Sequence, residues 1–237
     1  MEKKYLEKTK MLNYDVESIQ TLIKSRKWSA LDEYHKIGAI YDFVRNDILF
    51  GYNSSDLLTA EEVLKDGYGQ CNTKATLLMA LLRSVGIPCR LHGSEVSKNF
   101  QRGATSWLIS VLAPERIVHT WVEVLYMGNW IALEGVITDE RYVRAVKDKH
   151  KNVSGHFAKY AVAVPNLESL NLNWCGKDTY VQNDAVVMDY GVYDNPDMFF
   201  EQHHQTWSIL KNFAYVHYGR KVMTRNVAKM RNRKGNK

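Results

Sequence analysis

Two residues of this chain have the type and setting for covalent chemistry. Cys71 lies in Asp66-Gly67-Tyr68-Gly69-Gln70-Cys71-Asn72-Thr73-Lys74-Ala75, a glycine-flanked turn that leads into an apolar helical stretch from Ala75 to Leu82. A thiol at a helix N-terminus meets unpaired backbone N–H groups and the positive end of the helix dipole. Both favour the thiolate, the nucleophilic form. Downstream, His119-Thr120-Trp121-Val122-Glu123-Val124 reads as a strand that opens on an imidazole. Such a nucleophile needs a base, and the base needs a third group to orient it.

Strand parity offers candidates for that third group. Alternate strand residues point the same way, so His119, Trp121 and Glu123 share a face. If Gly128-Asn129 form a two-residue turn, Glu134 on the returning strand stands across from Glu123 and on the same face. This register leaves Glu134 diagonally away from His119, and it does not choose between the two acids. Twist, a bulge or a longer turn would bring Glu134 closer. For the oxyanion that thiol attack creates, the backbone N–H of Cys71 is the general donor, and the Gln70 side chain is a further candidate.

The elements that must carry these residues follow from periodicity. Ser29-Ala30-Leu31-Asp32 resembles a capping box. Ile37, Ile40, Tyr41, Val44 and Ile48 then mark one apolar helical face. Thr59-Ala60-Glu61-Glu62 opens a short helix that stops at Gly67, and the Cys71 helix ends before Gly86 and Pro88. Strands are predicted over Cys89 to His92, Trp107 to Leu112, His119 to Tyr126 and Trp130 to Glu134, with a polar loop from Ser94 to Thr105 bordering the site. Further on, helices are predicted from Arg141 to Lys149 and from Met198 to Tyr218 around an irregular Tyr-, Asp- and Asn-rich middle. Asp189-Tyr190-Gly191 and Tyr193-Asp194-Asn195-Pro196-Asp197 read as turns.

Composition bounds the class. The 237 residues include 45% hydrophobic and 24% charged, ordinary for a globular protein with a sizeable core. No apolar run approaches the ~20 residues of a membrane span. The first residues lack the apolar segment of a signal peptide, so the expectation is cytoplasmic with no membrane partner. Three cysteines without close spacing (Cys71, Cys89, Cys175) suit reduced thiols, with Cys89 and Cys175 as packing residues. No CxxC or HExxH suggests a metal, and adjacent His203-His204 diverge on a regular element. The charge of +6 is concentrated in the tail: Arg220 to Lys237 holds eight basic residues and no acid. A solvated, frayed C-terminus is the reading there. No aromatic residue is interleaved with those charges, so nucleic acid is not an expected partner.

Three ordered blocks resemble the transglutaminase-like superfamily of papain-like thiol enzymes. They are Gly69-Gln70-Cys71 with the helix through Leu82-Arg83-Ser84-Val85-Gly86-Ile87-Pro88-Cys89-Arg90, then His119-Thr120-Trp121-Val122-Glu123-Val124, then Trp130-Ile131-Ala132-Leu133-Glu134. Ile40 to Asn46 and Leu57 to Leu64 resemble the helical lead-in of bacterial members, so the likeness covers roughly Ser29 to Asp139. The resemblance implies an α+β, papain-like fold with N-terminal helices, a central nucleophile helix and an antiparallel sheet. The catalytic core is expected over residues 1–140, and the aromatic content of residues 141–237 predicts a C-terminal extension that packs on it. The resemblance makes Cys71 the nucleophile, His119 the general base and acid, and Glu134 the orienting acid. The family carries Asp where this chain has Glu134, which leaves Asp139 and Glu123 as alternative acids.

The function so implied is acyl transfer from a carboxamide or peptide bond through a thioester, by a protease or amidase if water resolves it and by a transferase if an amine does. The substrate is a protein, a peptide or an amide-containing small molecule, and no metal or cofactor is needed. The same fold without turnover, as a binding or scaffold module, is the reading that the Glu134 substitution would favour. Cys71 taken alone also suits a buried structural thiol, and Trp121 and Trp130 suit core or pocket wall better than substrate contact.

Overall fold

The computed structural model describes residues 3–105, 111, 113–204 and 213–233. The predicted strand over Trp107 to Leu112 lies outside the described residues except for Val111. Helix α1 spans Glu17–Arg26 and helix α2 spans Glu33–Asn46. Helix α2 begins three residues later than a Ser29 cap would place it. Asp32 caps it by accepting from the His35 N–H, while Ser29 sits in a preceding 3-10 turn over Trp28–Ala30. An Asp side chain caps as well as Ser, and here the one nearer the apolar face is used. Helix α3 (Ala60–Asp66) starts where predicted, on a capping box: Thr59 accepts from the Glu62 N–H and Glu62 reaches back to the Thr59 N–H.

Strands β1 (Leu49–Phe50) and β2 (Tyr68–Gly69) pair in parallel and place the turn before the central helix. That helix, α4 (Cys71–Ser84), is buried on every side from Asn72 to Arg83. A Cβ on Gly69 would lie 2.7 Å from Thr73 Oγ1 and 2.8 Å from Lys74 Cγ, so only glycine lets the chain fold back so tightly onto the first turn. Lys74 is fully buried and donates to the carbonyls of Arg45 and Ile137 at 3.2 and 3.1 Å. Burial holds its ammonium well below the ordinary lysine value.

Helix α4 packs on an antiparallel four-stranded sheet of order β5-β4-β3-β8. Strand β3 runs Cys89–Ser97, longer than predicted, so the first four residues of the expected polar loop are strand and a 3-10 turn follows at Lys98–Gln101. Strand β4 (Arg116–Tyr126) starts three residues before His119, and β5 covers Asn129–Ala132. The tight turn between β4 and β5 is Met127-Gly128, both at positive φ (49° and 80°), not Gly128-Asn129. Positive φ at both central residues is the hairpin turn whose twist matches the strands.

The C-terminal third contributes more to the sheet than periodicity suggested. Helix α5 (Glu140–Lys149), capped by Asp139, is followed by the small hairpin of β6 (Phe157–Lys159) and β7 (Val162–Val164). Residues 189–191 and Tyr193, read as turns, lie in β8 (Val186–Tyr193), which pairs with β3 across a register shift after Gly93. A bulge in a partly exposed edge strand blurs the period-2 signal that would have revealed it. Helix α6 (Pro196–Gln202) is capped by Asn195; of the helical stretch predicted from Met198 to Tyr218, residues 205–212 lie outside the described residues and 213–218 are helical again.

The basic tail is not frayed over its described length. Tyr215–Gly219 form a π-helical turn, and helix α7 (Arg220–Arg231) packs on α5 with Met223, Val227 and Met230 buried. Arg231 meets both carboxyl oxygens of Asp139, at 2.7 Å for the closest contact, and donates to the Phe50 carbonyl at 2.7 Å. A bidentate guanidinium–carboxyl pair withdrawn from water turns a basic segment into a fixed wall. Arg231→Ala should therefore cost about 3 kcal/mol of folding stability, because it strands a buried acid. Urea denaturation checks this, and a change within roughly 0.5 kcal/mol, the size of an ordinary surface substitution, contradicts it.

Candidate active site

The nucleophile position is built by the turn and the helix together. Gln70 precedes α4 and is held at three points. Its N–H donates to Thr73 Oγ1 (3.1 Å), its Oε1 accepts from the Asn53 N–H (2.7 Å), and its Nε2 donates to Asp56 (3.0 Å). Cys71 follows as the first helical residue, half-buried, and its own backbone N–H heads the helix. Gln70 lines the cavity, but these contacts already occupy its amide oxygen and one amide hydrogen. Cys89 is buried and Cys175 exposed, so Cys175 is not the packing residue that the sequence suggested.

Asn72, a residue that sequence reasoning passed over, ties this helix to the histidine strand. Its Nδ2 donates to the Val118 carbonyl (3.2 Å) and its Oδ1 accepts from Thr120 Oγ1 (3.0 Å). Val118 and Thr120 flank His119, so one buried amide side chain fixes the thiol-bearing helix against the imidazole-bearing strand. The available signal was an amide side chain at the head of a helix whose apolar run marks it for burial, where a polar group needs a partner.

His119 is completely buried, and its two ring nitrogens have different environments. Nε2 lies 2.7 Å from Glu134 Oε1. Nδ1 has no hydrogen-bond partner, and Cys71 acts on the ring by its charge and hydrogen-bonding capacity. Burial alone would lower the imidazole, but Cys71 and then Glu134 outweigh it and push His119 up to about 10.

Glu134 occupies the first position of a 3-10 turn (Glu134–Ile137) just past β5 and is completely buried. Its second oxygen accepts from the N–H groups of Val181 and Gln182, at 2.7 and 2.9 Å. The observed turn explains how it reaches His119. In the register Glu123↔Ala132, with Leu133 N–H bonded to the Val122 carbonyl, Glu134 falls across from Trp121 rather than Glu123. A slip of two residues keeps the face and halves the offset along the strand.

The other two candidate acids stand elsewhere. Glu123 binds Arg90 (2.6 Å) and His92 Nδ1 (2.8 Å) on a part-exposed part of the sheet, and Asp139 caps α5 and holds Arg231. Trp121 is buried between two rings, stacked on His92 with centroids 4.1 Å apart and tilted against His119 at 5.7 Å. Trp130 sits between Tyr5 and Arg90, away from the site.

A cavity of about 600 Å³ opens over Cys71 and His119. Tyr52, one of its walls, is nearly fully buried and its hydroxyl lacks a partner. Asp56, another, is pushed up by burial against the hydrogen bonds of Asn72 and Gln70. The cavity also takes residues from beyond residue 180, including His204, which the sequence gave no reason to place near Cys71. His203 instead bonds Tyr193 (2.8 Å) outside it. Among the described residues no group of three metal-binding side chains occurs, and no helix is long and apolar enough to cross a membrane.

A helix-borne cysteine facing a sheet-borne histidine in an α+β fold is the papain-like arrangement of thiol enzymes. Residues 22–135, just under half of the chain, match the model of the transglutaminase-like superfamily. No curated protein matches the chain. A solved structure from Cytophaga hutchinsonii, named a "Putative Cysteine Protease", is similar at 16% identity and a TM-score of 0.46 over 81% of this chain. The chain spans 47% of the length of that protein.

The geometry makes the state of His119 depend on Glu134. Glu134→Gln should lower the His119 midpoint from about 10 toward the ordinary imidazole value. A histidine raised on folding stabilises fully below about pH 6.5, and that contribution is lost as the pH rises toward its folded value. Wild-type stability should therefore fall over that window more than that of the Gln variant. Histidine-labelled NMR titration with urea denaturation reads both, and an unchanged midpoint contradicts the coupling.

Proposed function

We propose that this protein is a thiol acyl-transfer enzyme in which Cys71 is the nucleophile, His119 the proton carrier and Glu134 the acid that orients it. The observation that carries this reading is the division of labour on one buried ring. Nε2 is committed to Glu134, Nδ1 is left unpartnered, and the ring interacts with Cys71. A histidine kept only for packing would have both nitrogens satisfied.

In the reaction, His119 holds the proton and Cys71 acts as thiolate. The sulfur lone pair attacks the carbonyl carbon of an amide, and the C=O pair moves onto oxygen, where the backbone N–H at the head of α4 can receive it. When that pair returns, the C–N bond breaks, and the departing nitrogen takes the proton from His119, leaving a thioester on Cys71. Water, or a second amine, then gives a proton to His119 as it attacks the thioester, and the thiolate leaves with its electron pair. Water makes the enzyme a protease or amidase, and an amine makes it a transferase. The acyl donor is a protein, a peptide or an amide-bearing small molecule.

The replacement of the family's Asp by Glu134 gave the scaffold reading its ground. Glu134 lies 2.7 Å from His119 and is held by two backbone donors, which supports its reading as the orienting acid over the scaffold reading. Residues 141–237 belong to the same working unit in this reading, since Val181 and Gln182 hold the acid. Three unpaired cysteines suit a reducing, cytoplasmic setting.

Thiol reactivity tests the proposal. At pH 6.5 iodoacetamide should alkylate Cys71 on the order of tenfold faster than the exposed Cys175, and His119→Ala should remove the difference. Equal rates for both cysteines in the wild type contradict it. Amide turnover should also persist on the alkaline side until His119 loses its proton near about 10. An alkaline limb centred near 7 in the pH–rate profile contradicts that assignment.

A further inference from the structure

The cavity over the thiol has one wall that lies outside the stretch matched by the transglutaminase-like model. Phe50, Tyr52 and Phe100 come from the N-terminal part of the chain, while Phe200, Tyr215 and Met223 come from α6, the π-turn and α7. Together they make a largely aromatic box beside Cys71. Gly93 lets α6 approach the sheet, since a Cβ there would lie 2.2 Å from the Phe199 ring. Thr224 Oγ1 accepts from the Tyr52 N–H (3.0 Å), and Arg231 locks the far end of α7 on Asp139. The wall is thus fastened to the catalytic half at both ends, and Met223 on it is buried.

Charge narrows what fits. The cavity is lined by the acids Asp56 and Glu201, and no lysine or arginine is among its described lining residues. The only lining groups that can carry positive charge are His119, already engaged by Cys71 and Glu134, and His204, so an anionic chain would meet the two acids with little to offset them, while an apolar one would gain from leaving water. We propose that this cavity is the binding site for a bulky apolar or aromatic acyl side chain carrying no negative charge, with Met223 as the specificity-determining residue. The inference rests on the acyl-transfer reading above and names its substrate class.

The experiment uses p-nitrophenyl esters of the full chain's candidate acyl groups, with nitrophenolate release as the readout. Wild type should prefer the 3-phenylpropionyl ester over the acetyl ester by about tenfold or more in kcat/KM and disfavour the anionic succinyl ester, in line with what pocket fit achieves. Met223→Trp fills the box and should lower kcat/KM for the 3-phenylpropionyl ester about tenfold more than for the acetyl ester, which abolishes the preference. Should that variant not fold, Tyr215→Ala at a part-exposed wall position should weaken the same preference. Turnover without acyl preference, or an equal loss on all esters in the variant, overturns the cavity assignment. Calorimetry of 3-phenylpropionamide with Cys71→Ser separates the two claims. Binding that Met223→Trp removes, with no ester turnover by wild type, keeps the cavity assignment and overturns the acyl-transfer reading. Absence of both binding and turnover overturns both.

Discussion

Burying the Glu134 side chain is the constraint on which the rest of this structure turns. An acid with no access to water must have every oxygen satisfied within the protein, because a lone buried polar group costs several kcal/mol, on the order of 2–7. Here one oxygen meets His119 and the other receives two backbone N–H groups from Val181 and Gln182. Those partners come from β4 and from a segment almost fifty positions away, so satisfying Glu134 requires the C-terminal region to close over the sheet. The Thr179 backbone helps it do so by pairing with Ala132 and Gly135 on either side of the acid (2.9 and 3.0 Å).

The same logic of bound polar groups runs outward from the site. Asn72 couples helix α4 to the flanks of His119, and Gln70 couples the Cys71 turn to Asn53. Arg231 pins α7 to Asp139 and Phe50, beside the strand that leads to Tyr52. Each link joins segments distant in the chain, so the hydrophobic core sets the layers while these contacts set the register of one layer on another. Such networks specify an arrangement more than they add net stability. The groups they hold are those that line the cavity over the thiol.

Much of the site was legible in the sequence because its signals are local. A glycine-rich turn before an apolar helix marks Cys71, and alternation from His119 marks a strand and its face. The face of Glu134 was also legible, since parity survives a two-residue slip. Its register was not, because Met127 adopts a left-handed conformation that non-glycine residues rarely take. Strand β8 was hidden by its bulge and its exposed edge. The basic tail read as solvent-facing because its charges outnumber its apolar residues, yet Met223, Val227 and Met230 recur on one helical face and bury it. The wall that α7 gives to the cavity depends on a contact 92 positions apart, between Arg231 and Asp139, which no local pattern carries.

The account stands on covalent chemistry at one sulfur. Intact-mass and peptide-mapping spectrometry of the wild-type chain, acid-quenched within milliseconds of mixing with an activated apolar ester, reads that chemistry directly. The account predicts one acyl mass added on the peptide that carries Cys71, lost again on longer incubation, and absent from Cys71→Ser. An acyl group that never appears there, or that settles equally on Cys175, contradicts it.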